Sequence, residues 1–198
     1  MAYLLEKKKV IENLPKNDSY YYIHKLSANN NIASIKAILG LHKEAISILK
    51  ETNSELKKLQ KDNSFYYNHL KVLHSSNLNI IGDSYYTISN DSINSYIDSA
   101  AVYYKKAYNI ALTFLPKHKN SFQLYTLRKV KVLTKKERFK KALITINKIK
   151  LKENIQEINY YKTLIHYNLK NSDSTLYFAN NFINYNKNTP STKKHKLI

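Results

Sequence analysis

The chain has 198 residues, 43% of them hydrophobic, which is enough to bury a core. It contains no cysteine, which excludes disulfides and thiolate metal sites, and two glycines and three prolines leave little material for β-hairpins, barrels or phosphate-cradling loops. A net charge of +19 favours anionic partners and disfavours cationic ones.

The first element in chain order is a short leading helix, "AYLLEKKKVIENL", ended by Pro15. Its lysines Lys7, Lys8 and Lys9 follow the apolar residues instead of preceding them, which is the wrong order for a secretory signal. Helical periodicity then runs over residues 19–39, and the turn "GLHKEA" leads into a second helix containing Ala45. The chain's most apolar run, "IASIKAILGL", is short of the roughly 18 residues that cross a bilayer and carries Lys36. The chain therefore reads as cytoplasmic, or periplasmic if it is a fragment of a membrane sensor.

A third helix is expected from Ser64 to about Ile88, followed by "DSAAVYYKKAYNIAL", in which Ala100, Tyr104, Ala107 and Ala111 fall at i, i+4, i+7 and i+11. Such a stripe of small residues lets a neighbouring helix come close, and Pro116 closes the segment. Residues 121–133 form the next helix, "ERFKKALITINKI" follows around Ala142, residues 155–169 are helical again, and "KNSDSTLYFANNF" surrounds Thr175. Pro190 begins a polar, basic tail over residues 189–198. The expected organisation is a single helical domain over residues 1–188 followed by that tail.

Aligning Ala45, Ala100, Ala142 and Thr175 shows an internal repeat. Four residues on stand Leu49, Tyr104, Ile146 and Ala179, and seven on stand Thr52, Ala107, Ile149 and Phe182. Each anchor follows a polar turn and is preceded by another helix, so helices alternate in pairs. The anchors are 55, 42 and 33 residues apart, which implies elongated helices in the earlier pairs. The last turn, "YNLKNSDST", reads one residue short.

This pattern resembles the tetratricopeptide (TPR) repeat, a helix-turn-helix of about 34 residues with A-x3-F in its second helix. The resemblance covers roughly residues 19–187. It implies an all-α fold, an α-solenoid of about four TPR-like hairpins with an extra N-terminal helix, whose first helices line a groove that binds an extended partner. The "DSA" and "DST" turns and the Tyr, Asn and Lys bias are also similar to the repeat regions of Bacteroidetes sensor kinases and helix-turn-helix regulators, which implies a sensory or regulatory interaction module.

The charge is unevenly placed. Residues 1–99 carry 12 basic and 10 acidic side chains, residues 100–198 carry 21 and 4, and residues 128–152 alone hold 11 basic residues and one acid. Compositional drift toward lysine would explain the total, though not this asymmetry. On the helix at 121–136, Tyr125, Arg128, Lys129 and Lys136 share one side, with Phe122, Leu127, Val130 and Leu133 on the other. Under the resemblance the first side lines the groove, continued by Asn159 and His166, and an acidic protein or peptide is the expected partner. The alternative is a nucleic-acid-associated protein binding phosphates non-specifically through lysine, because base reading is mainly arginine work and only Arg128 and Arg138 are present.

Catalysis is not expected. Neither a phosphate loop nor a dinucleotide fingerprint can be written with Gly40 and Gly82 alone, the seven histidines are scattered, and no His-Glu-x-x-His occurs. The "DS" pairs at 18, 83, 91, 98 and 173 suit helix starts, where they cap. No cofactor and no metal is expected.

Overall fold

The computed structural model describes residues 6, 9–13, 19–62, 67–89, 94–114, 119–150 and 154–188. Among them there are no strands. Eight helices follow in order: α1 Ser19–Ile38, α2 His42–Asp62, α3 Tyr67–Ile88, α4 Asn94–Phe114, α5 Lys119–Lys135, α6 Phe139–Ile146, α7 Ile155–Asn168 and α8 Ser172–Asn188. Of the leading helix, Glu6 and residues 9–12 are helical. Pro15, Pro116, Pro190 and the basic tail lie outside the described residues.

The chain divides into two compact units, Met1–Lys117 and His118–Ile198. The first contains α1 to α4. Each of these helices packs on the next, and α1 also touches α3. One apolar cluster joins Leu26 of α1, Leu56 of α2 and Leu70 of α3, and a second joins Ala33, Ala45, Leu49 and Ile81. Burial of this kind, at roughly 25 cal/mol per Å² of apolar surface, favours the hairpins far more than helix propensity does.

The small-residue stripe of α4 is buried along its whole length: Ala100, Tyr104, Ala107 and Ala111 are all in the core. What it packs against is α3. The Tyr104 ring lies on Gly82, so close that a Cβ there would stand 2.6 Å from Cε1, and its hydroxyl donates to Asp83 Oδ1 at 2.7 Å. Two turns away Ser75 Oγ donates to the Ala107 carbonyl at 3.0 Å, a contact that a larger side chain at the surrounding positions would obstruct. Asp83 and Ser84, expected to cap a helix start, therefore sit inside α3, where Asp83 serves as an acceptor for Tyr104.

A chain of buried amides crosses the same unit. Asn30 of α1 donates from Nδ2 to Asn77 Oδ1 of α3, and Asn77 Nδ2 donates to Asn53 Oδ1 of α2 at 3.1 Å. All three residues are buried.

The second unit contains α5 to α8. Each helix again packs on the next, α5 also touches α7, and the core is Leu127 and Val130 of α5, Ala142 and Ile146 of α6, and Ile158, Tyr161 and Ile165 of α7.

One turn recurs in both units. At the end of α1, Gly40 is left-handed (φ 80°), Leu41 N–H donates to Lys36 O at 2.8 Å, and Gly40 N–H donates to Ala37 O at 3.1 Å. These are the 6→1 and 5→2 bonds of a Schellman motif, which satisfies the last carbonyls of a helix. Glu137 (φ 55°) does the same after α5, with Arg138 N–H on Leu133 O and Glu137 N–H on Thr134 O, both at 2.9 Å. Lys170 (φ 58°) does so after α7, with Asn171 N–H on His166 O and Lys170 N–H on Tyr167 O, both at 3.0 Å. In every case the anchor lies five residues after the left-handed one, and its N–H makes the bond to the residue four before it: Ala45 to Leu41, Ala142 to Arg138, Thr175 to Asn171. The last turn, which read one residue short, has the same length as the others. Asn171 additionally caps α8, its Oδ1 accepting from Ser174 N–H at 3.3 Å.

Candidate partner-binding cleft

Helix α5 carries the basic side expected to face a partner. Lys129 is exposed, and Tyr125, Arg128 and Lys136 are half-buried. Val132, which falls in the middle of that side, is only 7% exposed, and Phe122, expected to pack, is 48% exposed. Leu127 and Val130 are buried and Leu133 packs on the same core, as expected, and Thr126, Val132 and Thr134 are buried as well. Between the basic side and the core, Lys131 Nζ forms an ion pair with Glu157 Oε1 of α7 at 2.6 Å, which ties the two helices and removes one lysine from the available charge.

Asn159 and His166 of α7 both turn toward α8. His166 stacks on Phe178 with centroids 5.5 Å apart and planes at 15°, and Lys162 Nζ lies 4.7 Å from the centre of the same ring. Burial, with Lys162 adding to it, lowers the His166 pKa below its ordinary value. Its Nδ1 is buried and makes no hydrogen bond in the structure. Asn159 is buried and lines a cleft of about 630 Å³ between α7 and α8.

The rest of the cleft is aromatic and amide in character. Phe178, Tyr177 and Tyr185 come from α8, as do Asn181 and Asn184; Ile158 and Lys162 come from α7; and Ile149 and Lys150 close one side. Lys150 is held there because its N–H donates to Gln123 Oε1 of α5 at 2.7 Å. Three side-chain amides thus stand beside three aromatic rings and two cations. An amide offers both a donor and an acceptor, which matches a peptide unit, while the rings supply apolar area and the lysines suit carboxylates.

The structure places Asn159 in the α7–α8 cleft that Phe178 also lines and His166 stacked on Phe178, and it places Tyr125, Arg128, Lys129 and Lys136 on α5. Sequence reasoning missed the contribution of α8. The signal was present in "LYFANNFINY", where aromatics and asparagines recur at helical spacing, and was absorbed by the repeat alignment.

Among the described residues no three His, Asp or Glu side chains converge as metal ligands, and no helix is long and apolar enough to cross a membrane. No protein-family model, curated protein or solved structure matches the chain.

Proposed function

We propose that this chain is a non-catalytic interaction scaffold, an α-solenoid of TPR-like hairpins with two hairpins in each unit, and that its second unit holds an extended acidic protein segment. The observation that carries the repeat reading is the recurring left-handed turn, with identical hydrogen bonds and an identical offset to Ala45, Ala142 and Thr175. The contacts of α1 with α3 and of α5 with α7 agree with it, since stacked hairpins place successive first helices side by side.

In this reading the asparagines of the α7–α8 cleft pair with the backbone of the bound segment, its apolar side chains lie on Phe178 and Tyr185, and Lys150 and Lys162 meet its carboxylates. Tyr125, Arg128, Lys129 and Lys136 extend the positive field along α5. A second reading, phosphate binding by nucleic acid, is favoured by the exposed run of Arg138, Lys140, Lys141 and Lys148 around α6.

Fluorescence anisotropy separates the two. The probes are a labelled 12-residue peptide alternating Glu with Tyr and Leu, its Lys-for-Glu counterpart, and a 12-base-pair duplex. The acidic peptide should bind, weaken steeply between 50 and 200 mM salt, and lose at least tenfold in affinity in Lys162→Glu/Asn181→Ala and in Arg128→Glu/Lys129→Glu/Lys136→Glu. Lys7→Glu/Lys8→Glu/Lys9→Glu is the control of equal charge. Equal loss in both triple variants would assign binding to net charge and refute the site, and tighter binding of the duplex than of the peptide would favour the second reading.

A further inference from the structure

The first unit contains a groove in the same repeat register as the α7–α8 cleft, with different chemistry. Counting from the anchor, Phe178, Asn181, Asn184 and Tyr185 stand 3, 6, 9 and 10 residues after Thr175. At those offsets from Ala100 stand Tyr103, Lys106, Asn109 and Ile110, and they too line a groove, of about 450 Å³. Its opposite wall is α2, which contributes Lys50, Asn53, Ser54 and Lys57 at i, i+3, i+4 and i+7, so that all four share one helix face. His74 and Leu78 of α3 form the floor.

The segregation of charge on α2 distinguishes this groove from an ordinary lysine-rich surface. The carboxylates of Glu44 and Glu55 turn toward α1, where they pair with Lys36 at 2.5 Å and Lys25 at 2.8 Å. Lys50 and Lys57 of α2 line the groove together with α4, while Lys43 and Lys58 lie outside it. No lining residue is acidic, and three lysines line one concavity. The hydrogen bond to Tyr85 Oη at 3.0 Å raises the Lys50 pKa and holds that side chain in its charged form. Lys106 lies 5.3 Å from the centre of the Tyr103 ring, which fixes a cation and an aromatic face side by side.

The floor is polar without being charged. His74 is 4% exposed, and burial, reinforced by Lys57, pushes its pKa down to about 4. The imidazole is therefore neutral at physiological pH and does not add to the repulsion among the lysines. Asn53 accepts from Asn77 through Oδ1, which leaves its Nδ2 hydrogens as the donors it can offer.

We infer that this groove of the first unit is a binding site for a small organic phosphate, with Lys50, Lys57 and Lys106 around the phosphoryl group and Tyr103, Leu78 and Ile110 against its organic body. Phosphate is favoured over a lone carboxylate because the cations lining the groove are three lysines with no arginine fork, and lysine binds phosphate as a point charge. The volume exceeds that of inorganic phosphate and lies within the range of small-molecule sites. This site does not rest on the peptide cleft of the second unit.

Titration calorimetry with phenyl phosphate, benzoate and inorganic phosphate tests it on the full chain. Phenyl phosphate should bind at least tenfold more tightly than either of the others. Lys57→Met/Lys106→Met should lose at least tenfold in affinity for it, while Lys43→Met/Lys58→Met, which removes the same charge from α2 outside the groove, should stay within twofold. Ring-proton shifts of Tyr103 and His74 on adding phenyl phosphate to the unsubstituted protein report the location without any variant. Equal affinity for phenyl phosphate and benzoate, equal loss in the two double variants, or unmoved Tyr103 and His74 signals would each overturn the inference.

Discussion

Replacing Gly82 by alanine sets helix propensity against packing at a site where the structure says which wins. In the interior of an isolated helix, glycine to alanine is favourable by about 1 kcal/mol. Here the new Cβ would stand 2.6 Å from Cε1 and 2.7 Å from Cδ1 of Tyr104. The ring cannot retreat easily: Tyr104 is 2% exposed, and its hydroxyl is bound to Asp83 at 2.7 Å. Overpacking of this kind costs about 1–3 kcal/mol, and displacing the ring also sacrifices a hydrogen bond worth about 1 kcal/mol. The net expectation is a loss of about 2 kcal/mol, a fall in Tm of about 4–8 °C for a chain of this size. Thermal melting followed by circular dichroism measures it, and Gly82→Ala repeated in a Tyr104→Leu background isolates the clash, since the alanine should then be neutral or stabilising. A rise in Tm on Gly82→Ala in the Tyr104 background would refute the close approach of α4 to α3.

Three further outcomes are expected. Ala100→Leu should destabilise by about 1–3 kcal/mol, because Ala100 is completely buried, whereas a leucine at the exposed Lys105 should leave the melting curve almost unchanged. Glu137→Gly and Lys170→Gly should each stabilise by roughly 0.5–1 kcal/mol in denaturant titrations, because both residues adopt a left-handed backbone that glycine occupies without strain. Acidification should also destabilise the fold: the folded-state pKa of His74, about 4, lies below the ordinary value of 6.5, so the unfolded chain binds the proton first. Its contribution is intact above pH 6.5 and is lost as pH falls from 6.5 toward 4, by about 3 kcal/mol in all, with His166 acting in the same direction. His74→Gln should flatten the dependence of Tm on pH across that window, and an unchanged slope would show that His74 is not the group responsible.

Periodicity made the anchors legible, since a small residue recurring after a polar turn has few roles other than helix-helix contact. Ala45, Ala100 and Ala142 are all completely buried, as are Leu49 and Ile146 four residues after two of them. Thr175 and Ala179 are only half-buried, and α8 leaves Leu176 and Ile183 exposed. A helical wheel sorts residues into faces without saying which neighbour each face meets. That is why Asn159 and His166 were assigned to an open groove although both turn toward α8, and why Asp83 was read as a cap although Tyr104 claims it. The left-handed turns at Glu137 and Lys170 were hidden for a different reason: neither residue type signals positive φ, and only Gly40 did.

The amide chain Asn30–Asn77–Asn53 bears on how the first unit can change over time. Apolar contacts between helices survive a slip of one turn with modest loss, but three interlocked amides do not, because a slip strands donors and acceptors away from water at about 1–3 kcal/mol each. Substituting any one of the three by leucine carries the same penalty for the partner left behind, whereas replacing all three together with apolar residues of similar shape removes it. Positions 30, 53 and 77 are therefore energetically coupled: a single substitution among them costs more than the joint replacement of all three.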